Sequence, residues 1–98
     1  ARAYMEANIQ KKIDMNEIAD SLGVSYTSFA VAFKTQTGES PVRFLRKLRL
    51  QKARYELQNT NMSVKQIALD CGFSSSEYFC NFFREELGVT PSVFRDRG

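Results

Sequence analysis

The sequence predicts an all-α fold of about seven helices, in which a long central linker helix joins two helix-turn-helix subdomains. Three observations predict it. Residues 40–59 contain no proline or glycine after Pro41 and place apolar residues on two opposite faces. Serine, threonine or aspartate caps and glycine stops punctuate the rest of the chain at helical lengths. The pattern that precedes the central helix also returns after it, position by position. On this reading residues 1–39 form the first subdomain, 40–59 the linker helix and 60–98 the second subdomain.

Each element has a local cause. Tyr4, Met5 and Ile9 give a short amphipathic first helix over Ala3–Ile9. Asp14 followed by Glu17 is a capping-box pattern that opens a second helix, Met15–Leu22, with Met15, Ile18, Ala19 and Leu22 on its inner face. Gly23 ends it, because a glycine takes the left-handed backbone of a sharp turn without strain. Ser25 caps a third helix through Thr37, with Phe29, Ala32 and Phe33 inward, and Gly38 stops it. Ser40 then caps the central helix, and Pro41 fills its first turn, where no backbone donor is needed. At about 100° per residue, Phe44, Leu48 and Tyr55 fall together, with Leu45 at their edge, while Leu50, Ala53 and Leu57 fall nearly opposite. Two apolar faces fit a strut that serves two cores.

After Asn59 the plan repeats. Ser63 with Gln66 is another capping box, and Val64, Ile67 and Ala68 line the next helix. Gly72 breaks it, Ser74 caps again, and Phe79, Phe82 and Phe83 point inward up to Gly88. Thr90-Pro91 opens a last short helix containing Val93 and Phe94. Ile18-Ala19 and Gly23 recur 49 residues later, and Phe29, Phe33, Gly38, Pro41 and Phe44 recur 50 residues later. The repeated unit is helix, glycine-containing turn, helix, whose second member in a helix-turn-helix enters the DNA major groove.

Composition narrows the chemistry. The 98 residues are 43% hydrophobic and 26% charged, which fits a globular chain with room for one compact domain or two small lobes. The net charge of +3 is mild, but six of the fourteen Lys and Arg lie between Arg43 and Arg54. A basic block on an ordered helix points to a polyanion or an acidic partner. Nothing here has zinc-ligand spacing, without histidine no Cys–His nucleophile can be built, and no glycine-rich phosphate loop or acid–base set points to an enzyme. Cys71 and Cys80 show no disulfide framework, which makes a reducing cytoplasm the default location, and Cys71 reads as a small core residue. No apolar run nears the roughly 20 residues of a membrane span. The chain begins at Ala1 in helix-like sequence and reads as a fragment of something longer.

The run Ser63-Val-Lys-Gln-Ile-Ala-Leu-Asp-Cys-Gly-Phe-Ser-Ser-Ser-Glu-Tyr-Phe-Cys-Asn-Phe-Phe-Arg84, continuing to Leu87-Gly88-Val89-Thr90-Pro91 and Phe94-Arg95, resembles the DNA-binding domain of the AraC/XylS family of bacterial transcription regulators. The linker helix is similar as well, through Phe44-Leu45, Arg49-Leu50, Ala53 and Leu57. The resemblance covers nearly the whole chain. It implies seven helices, two helix-turn-helix subdomains and sequence-specific binding of double-stranded DNA in adjacent major-groove segments, for transcription control. No cofactor and no metal are expected. The resemblance also implies an effector-binding or signalling domain fused in the full-length protein, and RNA polymerase as a partner if the protein activates. A different reading of the same residues is a helical protein-interaction module that uses the basic linker helix.

The recognition helices are then Ser25–Thr37 and Ser75–Leu87. With the phenylalanines inward, spacing puts Tyr26, Thr27, Ala30, Val31 and Lys34 on the outward face of the first. The second presents Ser75 and Ser76 at its start, then Glu77, Cys80, Asn81 and Arg84. The base-contacting positions of the family correspond to Thr27, Ala30 and Val31, and to Ser76, Glu77, Cys80 and Asn81. Asn81 can pair bidentately with adenine, and Glu77 can accept from cytosine or complete a capping box with Ser74. Ala30 and Val31 can only touch a thymine methyl group or fill space. Lys34 and Arg84 are placed to meet phosphate or base edges, and Arg43, Arg46, Lys47 and Lys52 are further phosphate-contact candidates.

Overall fold

The computed structural model describes residues 1–97. Among them there is no strand, and seven helices follow in order: α1 Arg2–Ala7, α2 Met15–Ser21, α3 Tyr26–Thr37, α4 Pro41–Asn59, α5 Val64–Asp70, α6 Ser76–Leu87 and α7 Pro91–Arg97. The long α4 starts where Ser40-Pro41 places it, with the Arg43 N–H donating to Ser40 Oγ at 3.3 Å. The chain divides into two compact units, Ala1–Leu48 and the stretch from Arg49 onward, so the boundary falls inside α4.

The first unit closes on Met5, Met15, Ile18, Ala19, Phe29, Phe33 and Leu45, with Phe44 and Leu48 packed against them. The second closes on Leu50, Ala53 and Leu57 of α4, Ile67 and Ala68 of α5, Cys71 and Phe73 of the turn, and Phe79, Phe82 and Phe83 of α6. The opposite faces of α4 therefore serve different cores, Leu45 in one and Leu50, Ala53 and Leu57 in the other.

The repeat extends to the contacts. Phe33 meets Phe44 edge-on at 5.2 Å and 80°, and Phe83 meets Phe94 at 5.3 Å and 72°. Arg2 lies over the Phe44 ring at 5.5 Å, and Arg54 over the Phe94 ring at 5.9 Å. The Thr90 hydroxyl accepts from Val93 N–H at 3.3 Å, as Ser40 accepts from Arg43. The first half of α4 thus does for the first unit what α7 does for the second, and its second half stands where α1 stands in the first. At the end of α4, Arg95 of α7 donates to the carbonyls of Leu57 and Thr60 at 3.1 and 3.3 Å. Those carbonyls have no partner further along the helix, and a cation suits that end of the helix dipole.

Four expectations need correction. The first helix ends at Ala7, and Ile9 lies beyond it. Leu22 is 58% exposed, because α2 stops at Ser21 and Leu22 is its C-cap. Ala32 is exposed, since the inward line of α3 passes through Phe29 and Phe33 alone. Tyr55 is 65% exposed: it shares the angle of Phe44 and Leu48 on the wheel but lies two turns further along α4.

Candidate nucleic-acid interface

Each unit carries a helix-turn-helix of the same construction. Ala19 and Ala68 are fully buried at the crossings, where a larger side chain would hold the helices apart. The turns fold back identically, with Val24 N–H donating to Ala19 O at 3.1 Å and Phe73 N–H to Ala68 O at 2.9 Å. Between them Gly23 and Gly72 take φ values of 73° and 86°, a region costly for any residue with a Cβ.

Both recognition helices begin on a serine cap. Ser25 Oγ accepts from the Ser28 N–H at 3.1 Å. In the second unit the cap is Ser75, not Ser74: Ser75 has extended backbone angles and its Oγ accepts from Tyr78 N–H at 3.1 Å. Glu77 is therefore the second helical residue, one short of the place from which a capping-box acid reaches back, so the expected box with Ser74 does not form. Glu77 instead projects exposed from the first turn of α6, where the helix dipole favours an acid. Ser75→Ala is expected to cost about 1 kcal/mol of stability and Ser74→Ala almost nothing. Thermal melts of the two variants check this, and equal shifts would contradict the assignment.

On α3, Thr27, Lys34 and Val31 are exposed, Val31 by 62%, while Tyr26 is 38% exposed and Ala30 half-buried. On α6, Ser75, Glu77, Asn81 and Arg84 are exposed, and Ser76 and Cys80 are half-buried. Cys80 leans toward the second core, and burial pushes its thiol up from its ordinary value. Each set gathers on one side of its helix, because Phe29 and Phe33, or Phe79, Phe82 and Phe83, hold the other side inward. The faces differ in kind: Thr27, Val31 and Lys34 of α3 stand where α6, 50 residues later, presents Glu77, Asn81 and Arg84. Tyr78, absent from the expected set, is 36% exposed in the first turn of α6, with its ring beside Phe73 and Phe82. The family-like Tyr-Phe pair at 78–79 was the available signal for it.

The basic residues of α4 are not alike. Arg43 Nε lies 3.9 Å from Glu39, and Lys47 also bonds to Glu39; both cations keep about half their surface in water, where such pairs contribute at most about 1 kcal/mol. Arg46 is exposed. Lys52 departs from its expected role at phosphate. Its Nζ is 3.0 Å from Asp70 Oδ2, 3.1 Å from Asp70 O and 3.4 Å from Glu56 Oε1, which ties α4 to the end of α5. Cys71, wholly buried beside Glu56, has its thiol pushed up to about 12, first by burial and then by that carboxylate. It is a core residue. Among the described residues no group of acids, histidines and cysteines can hold a metal, and no helix is long and apolar enough to cross a membrane.

A family model described as a helix-turn-helix domain matches residues 18–97. The chain is 36% identical over 92 residues to the HTH-type transcriptional activator RhaS of Mannheimia succiniciproducens, covering 94% of this chain and 34% of that protein. It therefore spans about a third of the length of the curated relatives it matches. A crystal structure of a transcriptional regulator with an AraC-type DNA-binding domain from Chromobacterium violaceum superimposes with a TM-score of 0.86 at 38% identity, over 97% of this chain and 85% of that one. The DNA-binding domain of AdpA, solved in complex with a target DNA, superimposes with a TM-score of 0.92 at 27% identity, over 97% of this chain and 86% of that one.

Proposed function

The chain belongs to the AraC/XylS family of bacterial transcription regulators, as their helix-turn-helix DNA-binding domain, and from that premise we propose that it binds double-stranded DNA sequence-specifically to control transcription. The observation that carries the reading is the duplicated helix-turn-helix, in which each recognition helix starts on a serine cap and turns a coherent outward face to solvent. Each of α3 and α6 enters a major-groove segment, so one chain covers two segments. Helix N-termini, Lys34, Arg84 and the exposed cations of α4 hold the phosphates, and Asn81 and Glu77 read base edges. In the full-length protein an effector-binding or signalling domain controls this module in the cytoplasm, and an activator would also engage RNA polymerase. The reading as a basic helix for an acidic protein partner has less support, because it leaves the two serine-capped recognition faces without a role.

A salt titration tests the function. Each phosphate neutralised adds about 0.9 to the slope of log affinity against log salt. Arg84→Gln is expected to lower that slope by about one such step on random and specific duplexes alike. Duplex binding with no salt slope, or none at all, would contradict the reading.

A further inference from the structure

One acid faces the cations at the start of α4. Glu39 sits in the short link between α3 and α4, beside Gly38 with its φ of 85°. Its backbone is fixed there: Thr37 Oγ1 donates to Phe33 O at 2.8 Å and accepts from the Glu39 N–H at 3.3 Å. From this anchored place the carboxylate reaches along α4. Lys47 donates to Glu39 Oε1, and Arg43 Nε lies 3.9 Å from the same oxygen. The Glu39 side chain is 24% exposed, against 43% for Lys47 and 54% for Arg43, so the acid is the inner member and the cations are the outer ones. Fifty residues later the same three positions hold Val89, Val93 and Arg97. The second unit is thus built on the same plan with no acid at this place, and the plan itself does not call for one.

We propose that Glu39 is the internal occupant of a phosphate-binding site on α4: its carboxylate holds Lys47, with Arg43 beside it, where a DNA phosphodiester binds, and the phosphodiester must displace it. Glu39 thereby holds down the affinity for every duplex alike. This rests on the DNA-binding reading above, in which the exposed cations of α4 meet phosphate.

The chemistry is an exchange of one oxyanion for another. Carboxylate and phosphodiester each carry one negative charge and accept from the same ammonium and guanidinium donors. The exchange is easy, because a pair this open to water contributes at most about fivefold to an equilibrium constant. It still leaves a mark. A phosphate that approaches Lys47 meets an ammonium already neutralised and a carboxylate that repels it. Lys47 therefore contributes less than the full step of about 0.9 to the slope of log affinity against log salt. Phosphates carry no sequence information, so the effect is equal on random and selected duplexes. Glu39 loosens the grip on DNA as a whole and leaves base preference to the recognition helices.

The test is equilibrium binding of the whole chain to a random and a selected duplex, from about 0.05 to 0.2 M salt. Glu39→Gln keeps the size of the side chain and both backbone hydrogen bonds. It is expected to bind both duplexes about fivefold more tightly at the low-salt end, with a slope steeper by about 0.9 and an unchanged selected motif. Lys47→Gln should weaken binding to both duplexes, and in that background the gain from Glu39→Gln should shrink to about half or less. A role in holding the fold alone predicts the opposite sign, a lower melting temperature with equal or weaker binding. Unchanged affinity and slope in Glu39→Gln, weaker binding, or a gain that is undiminished without Lys47 would each overturn the proposal while the DNA-binding reading stands. A wild-type chain that binds no duplex at any salt would instead sink that reading, and this role with it.

Discussion

Leu50→Pro is expected to unfold the second unit and abolish DNA binding. Position 50 is the tenth residue of the nineteen in α4. Proline there removes the hydrogen bond from residue 50 to the carbonyl of Arg46 and drives its ring into that turn, at about 3 kcal/mol or more. Leu50 is also 7% exposed and part of the second core, so the loss of its side chain adds about 2 kcal/mol or more. Together these approach the low end of the stability of an ordinary domain, roughly 5–15 kcal/mol. Leu50→Met keeps the volume and the helix and should cost under about 1.5 kcal/mol. Circular dichroism and duplex binding, measured on both variants, check the pair. A Leu50→Pro protein that melts and binds like the wild type would mean that α4 is not a structural member of both units.

Asn81→Ala should flatten base preference at one position while leaving random-duplex binding almost unchanged. The exposed amide at Asn81 offers one donor and one acceptor in the spacing of adenine N6 and N7. A good bidentate pair contributes about 1–3 kcal/mol of discrimination, roughly 5- to 150-fold. Glu77, exposed in the first turn and freed of a capping role, stands second, as an acceptor for the cytosine amino group. On α3, 50 residues earlier, the comparable positions hold Val31, which has no polar side-chain atom, and Thr27, which keeps a hydroxyl. Val31→Ala should cost little, and chiefly where the site has a thymine methyl group. Competition binding with single-base variants of a selected duplex measures all three effects. If Asn81→Ala instead weakened every duplex equally, its role would be phosphate contact.

The helices were legible where their causes are local. Ser40 and Pro41 mark the start of α4 because one supplies an acceptor and the other needs no donor. Gly38 and Gly88 mark helix ends because both must turn left-handed, at φ 85° and 79°. The two apolar faces of α4 were legible from the angular separation of Leu45 from Leu50, Ala53 and Leu57. The same wheel misplaced Tyr55, since an angle does not tell how far along a helix a core extends. It misplaced Leu22 for a related reason: the helix ends one residue earlier. Between Ser74 and Ser75 the local chemistry is the same, and only the path of the turn selects the second as cap. The recognition faces could be listed by subtracting the inward phenylalanines. The Lys52–Glu56–Asp70 cluster could not, because it joins residues 18 positions apart and has no periodic signature.

Selection of binding sites from a random DNA pool by the purified chain tests the central claim most directly. The account predicts a bipartite, asymmetric motif, because α3 and α6 present different side chains. Most of its information should lie in one half, built around an adenine whose selection disappears with Asn81→Ala, while the other half shows a weaker preference for thymine. A motif whose information lies wholly in the half insensitive to Asn81→Ala and Glu77→Ala, or a pool that shows no enrichment, would contradict it.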